Sequence, residues 1–275
     1  MKKLSLFLVG IICLSVFSGC QKKNEISVIT ENDPIADYDS IEEVHIEGEK
    51  GTFKVSKKLY VSDDVNIPYF DLGRGGWVNK GKLAVIKVDN HVGRDCSIEI
   101  TITYIKSGGS EIGQSEKLFL GFSNNDSNYF FFQPETDFDD ITYEIRTLED
   151  DTPGRSGYFT FSTVAVAEPF EMEDPALKEL FGHTANLSSS MTCSSSETIY
   201  LSTETLYYDN EGKPICISSR SGENKGVLSS MTPDICVEQD GKYVLPDNMK
   251  GDLRCVVSIV KTMDQEQWAK MISGG

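Results

Sequence analysis

The stretch "TLYYDNEGKPI", Thr205 to Ile215, repeats the pattern of "TYIKSGGSEI", Thr103 to Ile112. Laid over one another, Tyr207 falls on Tyr104, Gly212 on Gly109 and Ile215 on Ile112, all at one offset of 103 residues, from 109 to 212. Upstream, "CSIEITITY" from Cys96 alternates Ile98, Ile100, Ile102 and Tyr104 with Ser97, Glu99, Thr101 and Thr103. That period of two belongs to a half-buried strand. The same offset carries the phase onto Leu201, Thr203 and Thr205, so the alternation survives where residue type does not. The glycines then supply turns, because they reach positive φ without a steric penalty. One strand and turn used twice predicts a duplicated β domain.

Further strands are expected at "KLAVIKVDN" (Lys82 to Asn90), "EKLFLGF" (Glu116 to Phe122), "NYFFFQP" (Asn128 to Pro134), "ITYEIRT" (Ile141 to Thr147) and "GYFTFSTVAVA" (Gly157 to Ala167). "TFKVSKKLYV" precedes them. Short strands at roughly ten-residue spacing, separated by Gly, Asn, Asp and Pro, indicate a sandwich or barrel. The second copy runs from "HTANLSSSMTC" at His183 to "LRCVVSIVKT". Between the copies, Asp174 and Pro175 read as a helix N-cap and first helical residue, with Leu177, Leu180 and Phe181 at helical spacing. A second short helix closes the chain at Asp264 to Ile272, with Trp268, Met271 and Ile272 on the face expected to dock. The expected fold is all-β: two consecutive immunoglobulin-like β-sandwiches, residues 51–168 and 184–275, joined by a linker helix within 169–183.

The chain opens MKKLSLFLVGIICLSVFSGC, two lysines and a fourteen-residue apolar run from Leu4 to Phe17 before small residues and a cysteine. This is a secretory signal pattern, and the run is shorter than the ~20 residues a membrane-spanning helix needs. "VFSGC" resembles the lipobox of bacterial lipoproteins, with Phe17 where that motif usually has Leu. The resemblance implies removal of residues 1–19 and diacylglyceryl modification of Cys20. Two or more acyl chains anchor stably, which places the protein on the extracytoplasmic face of the cell membrane. Residues 20–50 mix acidic and isolated apolar side chains with no lasting period and read as a flexible acidic tether, with His45 exposed in it.

"KVDN" followed by "ITITYIKSGGSEIG" and "YFFFQPETDFDDITYEI" resembles the FxLYD-type immunoglobulin-like domains of exported bacterial lipoproteins. Tyr208, Asp209, Gly212 and Lys213 match the aromatic, Asp and turn positions of that family. The first copy has Ile105, Lys106, Gly109 and Ser110 there. The resemblance covers roughly residues 82–147 and 184–262 and implies a fold but no catalytic residues and no cofactor.

A net charge of -17 repels phosphate backbones and excludes nucleic acid as a partner. No nucleophile elbow, phosphate loop or HExxH motif occurs, so the chain reads as non-catalytic, an envelope hydrolase being the third-ranked alternative. The leading reading is a tethered lipoprotein whose tandem domains bind an envelope protein or glycan, or act as a spacer. The second is a carbohydrate-binding module using Trp77, Tyr129 and Phe131 as exposed rings, although four successive aromatics at Tyr129 to Phe132 also fit a strand buried on both faces. Asp137 to Asp140 and Glu149 to Asp151 read as solvated turns and not calcium loops, and no metal site is expected. Cys193, Cys216, Cys236 and Cys255 all fall in the second copy and allow two disulfides in three connectivities.

Overall fold

Four consecutive residues, Leu83, Ala84, Val85 and Ile86, are each fully buried, which requires a strand packed by a layer on either face. The computed structural model describes residues 33–62, 65–71, 76–79, 81–150, 152–171, 173–181, 183–224, 226–233 and 235–273. The expected signal sequence, Cys20 and the part of the expected tether up to residue 32 lie outside the described residues.

In chain order the first strands are β1 Ser40–His45, β2 Thr52–Tyr60, β3 Pro68–Asp71, β4 Gly76–Asn79, β5 Leu83–His91, β6 Cys96–Lys106, β7 Ser110–Phe122, β8 Ser127–Phe132 and β9 Asp140–Leu148. There follow β10 Phe159–Phe170, helix α1 Pro175–Phe181, β11 Thr184–Cys193, β12 Tyr200–Tyr208, β13 Pro214–Glu223, β14 Gly226–Pro233, β15 Val237–Gln239, β16 Lys242–Val244, β17 Asp252–Met263 and helix α2 Gln265–Ile272. The fold is all-β.

The repeat seen in sequence is repeated in pairing. In the first copy the sheet β1-β2-β5-β8 faces the sheet β7-β6-β9. The second copy pairs β10-β11-β14 and β13-β12-β17 in the same order. The central pairs also correspond: Ile100 lies opposite Ile145, and 103 residues on Thr203 lies opposite Ile259. Both turn glycines sit in the left-handed region, Gly109 at φ 83° and Gly212 at φ 81°. In the second copy the two sheets become continuous, because Val164–Val166 of β10 cross to pair with β17 at Asp252–Arg254. The β3-β4 hairpin adds to β13 in parallel, completing an eight-stranded sheet.

The aromatic residues Phe130 and Phe132 of β8 point into the first sandwich, where Phe130 meets Phe119 edge-on at 5.8 Å, whereas Phe131 points the other way. On that other face Leu83, Val85 and Phe131 pack against Leu206, Tyr208, Ile217 and Val256 of the second copy. The offset explains why this contact forms only once. The counterparts of Leu83 and Val85 are Asn186 and Ser188, and those of Leu206 and Ile217 are Thr103 and Gln114. One face of each copy is thus apolar and its equivalent in the other copy is polar. The second copy keeps a core of its own around Leu187, Tyr207, Cys216 and Cys255, while Met191, Leu201 and Ile259 join the first. From Asp33 onward the chain forms one compact unit.

Four sequence expectations change. β10 pairs with β11 from Phe159 to Phe170 and is the first strand of the second copy, so the copies meet in the segment after Leu148 and not near residue 168. Helix α1 forms where Asp174 and Pro175 announce it, with Asp174 Oδ1 accepting from the Ala176 N–H at 2.8 Å, but it caps the β10–β11 hairpin inside that copy and is no hinge. The expected tether is folded from residue 33 on: Ile35 is 4% exposed, and β1 pairs with β2 from Ser40↔Lys57 to His45↔Thr52. As an edge strand β1 buries little, so its sequence stays polar. At the other terminus α2 docks by Trp268 alone, stacked on Tyr200 at 4.9 Å, while Met271 and Ile272 are exposed.

Candidate binding surfaces

Of the aromatic residues singled out as a glycan platform, Tyr129 and Phe131 are not exposed rings. Phe131 is 4% exposed between the two copies, and such a ring offers no face for stacking. Tyr129 is half-buried, and its hydroxyl donates to Asp33 Oδ1 at 3.2 Å. Burial and the adjacent Asp33 carboxylate push its phenol pKa upward. Trp77 lies in β4, and its side chain is outside the described residues. Cys20, the expected lipidation site, is also outside them.

The acidic turns are structural ties. Lys82 Nζ lies 2.7 Å from Asp137 and 3.2 Å from Asp139, and Lys106 bridges the same two carboxylates. The Ser107 N–H and hydroxyl both donate to Asp139 at 2.7 Å, and these bonds, aided by Lys106, hold its carboxyl pKa below the usual carboxylate range. Among the described residues no group of three or more His, Cys, Asp or Glu gathers as a metal site. The described cysteines are all free. Cys216 and Cys255 flank Tyr207 on the neighbouring strands β13 and β17, two strand spacings or about 10 Å apart, which is beyond disulfide reach.

The family-like residues Tyr208, Asp209, Gly212 and Lys213 are likewise accounted for by folding. Asp209 is 4% exposed; its Oδ1 accepts from the Glu211 and Lys213 N–H groups at 3.0 and 2.8 Å, and its Oδ2 accepts from Asn248 at 2.7 Å. Gly212 closes the turn at positive φ, its N–H donating to the Asp209 carbonyl at 3.0 Å.

Two of the concave sites among the described residues bear on the junction and on binding. At the junction of the copies a cavity of about 360 Å³ contains Tyr69, Lys117, Gln133 and Glu204. Glu204, 9% exposed, accepts from Lys117 Nζ at 2.8 Å and from the Tyr69 hydroxyl at 3.2 Å. With both carboxylate oxygens engaged, Glu204 ties β3 and β7 of the first copy to β12.

The second site is a groove of about 650 Å³ between β1 and β9, edge strands of the two sheets of the first sandwich that pair with no further strand among the described residues. Val44, Ile46, Ile141 and Ile145 form an apolar floor, with Glu42, Lys57, Asp140 and Glu144 around it. The Tyr143 hydroxyl donates to Glu42 Oε2 at 3.0 Å across the mouth, and burial together with this carboxylate raises the phenol pKa. Lys57 Nζ lies 3.0 Å from Asp140. Nothing in the sequence reading pointed to this groove. Its sequence signal is the passage from β9 through "LEDDTPG" directly to the first strand of the next copy, which leaves β9 without a following partner.

No described helix is long and apolar enough to cross a membrane. A scan against protein-family models and a search of curated proteins found no match.

Proposed function

We propose that the chain is a non-catalytic lipoprotein, anchored through acylated Cys20 on the extracytoplasmic side of the membrane, whose two sandwiches form a rigid platform for binding a protein partner of the envelope. The observation that carries this reading is the open groove on a doubly braced sandwich: an apolar floor, an unfilled sheet edge and a surrounding rim of carboxylates. The export signal and the lipobox-like "VFSGC" support the location. Binding sites are commonly placed at the edges and loops of a stable scaffold, and here the Glu204 tie and the apolar junction fix one sandwich against the other.

Metabolic labelling with an alkyne fatty acid tests the anchor. Label is expected on the wild-type chain in the membrane fraction and absent from Cys20→Ala. Capture from envelope extracts with the chain from Asp33 onward tests the binding role. A labelled protein that reproducibly captures nothing is a spacer, and an unlabelled, freely released one overturns the location.

A further inference from the structure

We infer that the groove between β1 and β9 takes a basic, extended peptide segment of another protein, which adds to the free edge of β9 as a further strand. The inference rests on the binding role proposed above and names the ligand class of that site.

The backbone of β9 is turned toward the groove at alternate residues. Ile141 shows the phase: its N–H is met by Asp140 Oδ1 at 2.7 Å and its carbonyl by Lys57 Nζ at 3.5 Å, both on the side away from β6. In a strand that phase repeats every second residue, so the N–H and C=O of Tyr143 and Ile145 face the same way. The second copy shows what such an edge requires. Ile259, the counterpart of Ile145 by pairing, has both of its outward backbone groups bound by the side chain of Asn128. Among the described residues no strand or side chain plays that part for Ile145.

The floor and rim define the occupant. A strand laid along β9 directs alternate side chains inward onto Val44, Ile46, Ile141 and Ile145, which selects apolar residues at every second position. Its other side chains point out beside exposed Glu144, with Glu42 and Asp140 at the rim and exposed Glu43 on β1. The cations along this edge are Lys57, already paired to Asp140, and Arg146 on β9, already paired to Glu99. Complementarity therefore selects Lys or Arg in the outward positions. A second copy of this chain, itself at -17, meets the opposite bias.

The probe is a labelled eight-residue peptide of alternating Lys and Val, with a Glu–Val peptide as control, added to the full chain at low and at high salt. Binding of the Lys–Val peptide alone is expected, weakening with salt and falling about tenfold in Glu144→Lys. Glu144 is exposed, so that variant remains folded. Amide hydrogen exchange at Tyr143 and Ile145 should slow on binding. The inference fails if those amides do not slow, if the Glu–Val peptide binds as well, or if Glu144→Lys binds unchanged. It fails also if the amides are protected without peptide, either by residues 21–32, shown by loss of protection in the chain from Asp33, or by self-association, shown by dependence on protein concentration. Envelope capture that succeeds while this test fails leaves the platform reading standing and removes only the strand-addition site.

Discussion

Asn128 of β8 holds Ile259 of β17 by both of its backbone groups: Nδ2 donates to the Ile259 carbonyl and Oδ1 accepts from the Ile259 N–H, each at 2.9 Å. One side chain of the first copy thus substitutes for a neighbouring strand of the second. Asn128 is 1% exposed, so its removal leaves a buried donor and a buried acceptor unpaired. Asn128→Ala is expected to lose about 3 kcal/mol, from roughly 1–3 kcal/mol per unsatisfied group. Urea denaturation measures it, and a loss below about 1 kcal/mol would contradict a buried pairing.

At the junction of the copies Leu83, Val85, Leu206 and Ile217 have polar 103-residue counterparts. Exchanging Leu206 for the residue type at Thr103, or Leu83 for that at Asn186, places a polar group where Leu83, Leu206 and Ile217 meet. Leu206→Thr and Leu83→Asn should each cost about 2–4 kcal/mol. Because the two sites share the same contact region, the double variant should lose less than the sum of the single losses. Calorimetry on the double variant is expected to resolve two transitions where the wild-type chain gives one.

The turn glycines provide a matched pair. Both Gly109 and Gly212 have positive φ, and a Cβ added at either meets nothing within 4 Å. The cost of Gly109→Ala and of Gly212→Ala is therefore backbone strain alone, about 1–2 kcal/mol for a left-handed residue carrying a Cβ. Equal losses by chemical denaturation are expected from the two copies. A difference above about 1 kcal/mol would mean that the turns are not equivalent.

Strand periodicity made most of this fold readable in advance. Ile98 to Tyr104 alternates cleanly because β6 lies between β7 and β9 with one face inward, and Phe130 to Phe132 reads as doubly buried because β8 lies in the middle layer. Strand ownership was not readable: "GYFTFSTVAVA" looks alike whether it ends one copy or starts the next, and only the pairing of Phe159 with Cys193 decides. β1 escaped because an edge strand with Glu42, Glu43 and His45 carries little periodic signal. The groove escaped for a related reason: among the described residues β9 has no second neighbour beside β6, and the alternation of Ile141, Tyr143 and Ile145 is the same with or without one.

Burial makes the core thiols inert. Cys216 and Cys255 are each 0% exposed, and burial pushes both thiols up from 9.0 to about 12. The folded state thus favours the protonated form. The stability tied to it is complete below pH 9.0 and declines as pH climbs from there toward about 12. At pH 8 these two cysteines should resist Ellman-type reagent until the chain unfolds, while Cys193, which is less buried, should react sooner. Peptide mapping after timed labelling gives the order, and early modification of Cys216 would refute the packing around Tyr207.

Asp33 gives the described chain an unusual point of attachment. Its carboxylate, 6% accessible, accepts from Lys87 Nζ at 2.8 Å and from the hydroxyls of Tyr38 and Tyr129 at 3.0 and 3.2 Å. Tension applied ahead of residue 33 therefore enters through β5 and β8, at the molecule's centre, before any of it reaches β1. The thin outer strand is shielded from peeling, and any pull applied ahead of residue 33 must first break an ion pair sheltered from water.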